Sequence, residues 1–81
     1  MPQDQQILLC IGRAMGWGTN LRTIRSNFDT NIYRPLDNLI GQYARSAPTP
    51  VNRMPGDIKQ LCRIWAIARL IWDVIGNIDL P

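Results

Sequence analysis

The sequence predicts an all-α protein, a compact bundle of three short helices around one long C-terminal helix. Three observations point there. Apolar residues recur at helical spacing in four separate stretches. Capping and breaking residues fall between those stretches. No segment alternates apolar and polar residues with period two, so no strand is expected. At 81 residues the chain has room for a single domain, 1–81. Its 46% hydrophobic and 19% charged content is that of a globular chain and not a disordered one.

The first helix is expected over residues 3–15, with Asp4 in the opening turn, where the helix dipole favours an anion. Ile7, Leu8, Ile11, Ala14 and Met15 supply its apolar stripe. Gly16-Trp17-Gly18 then stops it. Thr19 or Asn20 can cap a short second helix ending at Phe28, with Leu21, Ile24 and Phe28 on one face. Asp29-Thr30-Asn31 reads as a turn, and Pro35 suits the first position of a third helix. Leu36, Leu39, Ile40, Tyr43 and Ala44 give that helix the cleanest amphipathic pattern in the chain.

Residues 46–56 contain Pro48, Pro50 and Pro55 and read as an extended connector. Asp57 is the expected cap of the fourth helix, with Gln60 three residues on. The helix should run to about Ile75 and end at Gly76 or Asn77. At about 100° per residue, Lys59, Arg63, Asp73 and Asn77 form a narrow polar stripe with Arg69 at its edge. Apolar residues between Ile58 and Ile75 cover a much wider arc. That breadth predicts a central helix with the other three wrapped around it, part of its arc left uncovered because they are short.

The acid–base inventory narrows function most. There are eight Arg, one Lys and six Asp, with no Glu and no His. Without His or Glu, most general-base, nucleophile-activating and metal-ligand arrangements cannot be assembled. A Cys or Ser nucleophile would need Lys59 or an Asp as its base, and no spacing suggests one. Gly12, Gly16 and Gly18 lack the order of a phosphate-binding loop. The expectation is a protein without catalytic activity, cofactor or metal.

Net charge is +3 and the pI about 9.4. From Arg13 to Arg53, six Arg stand against Asp29 and Asp37, so the middle of the chain is the electropositive part. An acidic partner would be drawn there, although the same arginines can simply solubilise helix surfaces. Cys10 and Cys62 are too few and too far apart for a disulfide framework or zinc site, and each sits in an apolar run. A single bridge between them stays open at this level. The N-terminus lacks the positive charge of a secretory signal, and the longest apolar stretch, Ile64 to Trp72, is broken by Arg69. The expected setting is cytoplasmic and reducing.

Two surfaces could bind something. Trp65, Arg69 and Trp72 lie at i, i+4 and i+7, so the guanidinium can lie against both indoles. One indole is expected in the core and the other is left open; Tyr33 with Arg34, and Trp17 in its turn, are further candidates. The second surface is a degenerate helix-turn-helix over residues 7–28. Ala14, Gly18 and Ile24 meet its demands, whereas Asn27 falls where an apolar residue is wanted. In that arrangement Asn20, Arg22 and Arg25 would face a DNA groove, and Arg13 and Arg34 would take phosphates. Two ordinary packed helices would score similarly.

The leading expectation is a non-enzymatic protein-binding module, a regulatory or inhibitory accessory protein engaging an acidic or mixed surface. Self-association through residues 58–75 is a variant of it, and nucleic-acid binding is the alternative. A membrane surface is not favoured, because the polar face of the last helix is too thin for an interfacial helix.

Overall fold

The computed structural model describes residues 3–46 and 55–80. It is all-α, with no strand among the described residues: α1 (Gln3–Met15), α2 (Leu21–Phe28), a π-helical turn (Asp29–Tyr33), α3 (Arg34–Ser46) and α4 (Gly56–Ile75). Most of the expected extended connector, residues 47–54, lies outside the described residues.

α1 ends in a Schellman motif. Gly16 takes the left-handed conformation (φ 71°), its N–H donates to the Arg13 carbonyl, and the Trp17 N–H donates to the Gly12 carbonyl at 2.8 Å. Gly18 is also left-handed (φ 81°), so both glycines sit where a side chain would strain the backbone. The reversal folds the Trp17 indole back onto the core. Of the two candidate caps, Asn20 holds the role: its side-chain oxygen accepts from the Thr23 N–H at 3.0 Å.

The expected break between the second and third helices is absent. α2, the π turn and α3 run on as one helix over residues 21–46, so the described residues form three helical rods and not four separate helices. Asp29, Thr30 and Asn31 look like turn residues, yet the following Ile32 and Tyr33 pack against the core and hold the backbone helical. In a straight α-helix the ring of Pro35 would collide with the carbonyl four residues back. The wider turn just before it, where the Arg34 N–H donates to the Asp29 carbonyl, opens the needed space.

The π turn also re-phases the helix. At about 100° per residue, the stripe Leu21, Ile24, Phe28 and the stripe Leu36, Ile40, Tyr43 would otherwise point roughly 90° apart. One extra residue in the turn brings them onto the same side. Leu39 is left at the edge of that face, half exposed at 50%.

The buried hydrophobic core consists of Leu8 from α1, Ile24 and Phe28 from α2, and Ala68 and Ile75 from α4. Gly12 is buried at the crossing of α1 and α2, against Ile24. The three rods contact one another pairwise, α4 meeting both α1 and the long helix, so α4 shares the centre with the long helix. At about 1.5 Å per residue that rod is close to 39 Å long, which accounts for most of the 45 Å long axis of the molecule.

α4 starts two residues earlier than expected and without a side-chain cap. Pro55 is the extended N-cap residue and Asp57 lies inside the first turn, where it faces the positive end of the dipole. The helix ends at Gly76, which stays right-handed (φ −69°) and donates to the Trp72 carbonyl. Ile78 and Leu80 of the tail then fold back against the core.

Candidate functional site

The aromatic residues of α4 separate into two environments. Trp72 is half-buried and stacks on Phe28 (centroids 6.2 Å apart, 5° between planes) and on Tyr33 (5.8 Å, 29°). It joins α4 to both α2 and the π turn, and Tyr33 is engaged with it. Trp65 lies two turns earlier on nearly the same face, half-buried. Its indole N–H donates to the Asp37 carboxylate at 3.2 Å, tying α4 to α3. The exposed Arg69 guanidinium covers the Trp65 ring at 5.6 Å from its centroid, a contact worth about 0.5–1 kcal/mol at an exposed site. Arg69 thus lies against one of the two indoles, and Trp17 lies against the core.

Three of the arginines expected to read nucleic acid, Arg22, Arg25 and Arg34, are engaged within the fold. Arg34 forms a bidentate pair with Asp29, at 3.0 and 3.2 Å. Residues five apart are about 140° apart on an α-helix, so this pair exists because the π turn brings them together. Arg25 donates to the Ile78 carbonyl at 2.7 Å and Arg22 to the Leu80 carbonyl at 2.9 Å. Both guanidinia therefore hold the C-terminal tail onto α2, while the Asn20 side chain is used as a cap. Arg13 is exposed on α1, beside an open cleft of about 620 Å³ lined also by Leu9, Cys10, Gly16 and Thr19.

The tail clamp makes a direct prediction. Arg25→Ala removes a charged donor from a part-buried carbonyl, a loss of about 1.5–3 kcal/mol. Residues 77–80 should lose amide protection and show fast-timescale motion by NMR relaxation, while the rest of the spectrum stays folded. Unchanged relaxation in the tail would show that Ile78 and Leu80 hold it without the guanidinium.

Large apolar side chains that are exposed cluster on α4. Ile64, Ile67, Leu70 and Val74 are 43%, 58%, 68% and 42% exposed. At about 100° per residue they fall within a single 120° arc, with Arg63 on the same side and Asp73 along one flank, both exposed. Ile71, half-buried, borders the stripe on the core side. The broad apolar arc of the sequence is the signal for this surface. It does not reveal which part stays uncovered, and Leu70 falls outside it, among the polar positions.

Among the described residues no group of three or more His, Cys, Asp or Glu side chains is placed to hold a metal ion. No described helix is long and apolar enough to cross a membrane. Both cysteines are free thiols; Cys62 is half-buried, but Cys10 is exposed and not in the core its apolar run suggests.

The fold defines the class: an all-α protein whose described residues form three helical rods, the longest carrying a π turn, with an exposed apolar stripe on the last. No protein-family model matches the chain, and searches of curated proteins and of solved structures find no match.

Proposed function

We propose that the chain is a non-enzymatic protein-binding module, a small regulatory or inhibitory accessory protein that docks through the exposed face of α4. The observation that carries this reading is the contiguity of Ile64, Ile67, Leu70 and Val74 on one arc. Scattered exposed hydrophobics are ordinary, whereas an aligned patch marks a surface that another molecule covers. Arg63 lies within the same arc and Asp73 beyond one edge of it, both exposed, which suits a partner of apolar and mixed-charge character. The arginines of the middle segment contribute less than their number suggests, since Arg22 and Arg25 hold the tail and Arg34 pairs with Asp29. The two free thiols are in keeping with a reducing, intracellular setting.

The test is affinity capture from source-cell lysate with and without nuclease, run in parallel with Ile67→Asp. The expected result is a stoichiometric protein that survives nuclease and moderate salt and is lost with Ile67→Asp. Recovery that disappears with nuclease and falls steeply with salt would replace this reading with nucleic-acid binding.

A further inference from the structure

We infer that the C-terminal tail is a displaceable strap over a site for a phosphate monoester, formed by Arg22 and Arg25 of α2. None of the residues involved belongs to the apolar stripe of α4, so the inference stands apart from the docking proposed there. The two arginines are three positions apart, and their side chains leave neighbouring points on one side of the helix. Each donates to a main-chain carbonyl of the same short, non-helical segment, Arg25 to Ile78 at 2.7 Å and Arg22 to Leu80 at 2.9 Å. Two guanidinia one helical turn apart thus converge on one place.

The tail satisfies their donors but not their charge. A carbonyl is neutral, and among the described residues no carboxylate pairs with Arg25, which is part-buried. Asp79, between the two carbonyls, is exposed. Hydrogen bonds from a guanidinium to an oxyanion are roughly twice as strong as neutral ones, and phosphate matches its planar fork. A phosphate monoester brings three acceptor oxygens and roughly two negative charges to a single point, which suits this pair better than two carbonyls do.

The strap is also lightly held. The Asn77 side chain donates to the Asp73 carbonyl, so the chain leaves α4 just after it. Beyond that point the backbone returns one long bond, from the Ile78 N–H to the Ile75 carbonyl at 3.4 Å. Apart from the arginines, Ile78 and Leu80 anchor it against the core, and Leu80 borders a small cleft with Asn20, Leu21 and Arg22. A segment with so few bonds opens without the rest of the fold, and a ligand that fits only the open form draws the chain into it.

NMR titration of the full chain with methyl phosphate at about pH 7.5, against sodium chloride at matched ionic strength, tests this. The expected result is saturating shifts in the amides of residues 22–25 together with fast-timescale motion of residues 78–80, neither seen with chloride. Dimethyl phosphate, a singly charged diester like a nucleic-acid backbone, should bind about tenfold more weakly or worse. Arg25→Gln should abolish saturation. Ile78→Ala loosens the strap and leaves both arginines in place. It should tighten methyl phosphate by about threefold or more, since a larger fraction of the chain is already open, whereas a purely structural tail contact would leave affinity unchanged. Saturable binding with the tail still in place, or unchanged affinity in Ile78→Ala, would overturn the strap. A response to chloride or to the diester equal to that with methyl phosphate would overturn the monoester site.

Discussion

Gly12→Ala should destabilise the protein by about 2 kcal/mol or more, although it replaces glycine by the best helix former in the middle of a helix. The intrinsic preference of alanine is worth about 1 kcal/mol in the opposite direction. Space decides the sign. A Cβ on Gly12 would overlap Ile24 Cδ1, stand 2.9 Å from Ile24 Cγ1 and lie 2.7 Å from the Gly18 carbonyl oxygen. Ile24 is fully buried, and Gly18 sits in a left-handed turn, so neither can retreat cheaply. Overpacking of this kind costs about 1–3 kcal/mol and sometimes more. In a domain of this size each kcal/mol shifts the melting temperature by about 4–8 °C, so a fall of roughly 10 °C or more is expected by calorimetry.

Gly41→Ala is the control. Gly41 also lies inside a helix, but its added Cβ would meet only the mobile end of Arg45, at 3.2 Å. There the propensity gain should prevail, and the melting temperature should hold or rise. Equal effects at the two positions would show that α1 and α2 do not approach each other as closely as the structure has them.

Phe28→Ala should have the largest effect of any single truncation. Phe28 is 3% exposed, joins the core cluster and stacks on Trp72. Truncating a buried phenylalanine costs about 3–5 kcal/mol through lost burial and the cavity left behind. A chain of this length commands only about 4–12 kcal/mol in total at 0.05–0.15 kcal/mol per residue. The variant should therefore lie near its unfolding midpoint at 37 °C and lose the near-ultraviolet dichroism of its tryptophans. Phe28→Leu, which refills most of the volume, should retain a cooperative transition. If Phe28→Ala melts like the wild type, the junction of α2, the π turn and α4 is not where the molecule is held together.

Local chemistry made several parts of the fold legible. The bounds of α1 agree with its apolar periodicity and the Gly16-Trp17-Gly18 stop, because a left-handed glycine ends a helix in almost any surroundings. The Asn20 cap and the end of α4 at Ile75 are local in the same way. The continuity of residues 21–46 was not legible. Asp29, Thr30, Asn31 and Pro35 each favour a break taken singly. What overrides them is the packing of Ile32 and Tyr33 against the core, where Tyr33 stacks on Trp72 of the last helix.

The site shows the same division. Angular reading of α4 finds too much apolar surface for one face, but it cannot say which side the long helix covers. Trp65 and Trp72, both candidates for exposure, are turned toward Asp37 and toward Phe28 and Tyr33, while Leu70, on the polar side of the wheel, is the most exposed large hydrophobic among the described residues. Arg22 and Arg25 read as free cations on a recognition helix until the tail carbonyls of Leu80 and Ile78 are placed beside them.

By itself, then, the sequence determined the all-α class, the first helix and its stop, a cap for the second at Thr19 or Asn20, and a last helix with surplus apolar surface, because these follow from the preferences of neighbouring residues. The joining of the second and third helices by a π turn, the engagement of the arginines, and the side of α4 left uncovered were decided only by the tertiary structure. Each depends on contacts between segments far apart in the chain, whose burial energy exceeds the local preferences it overrides.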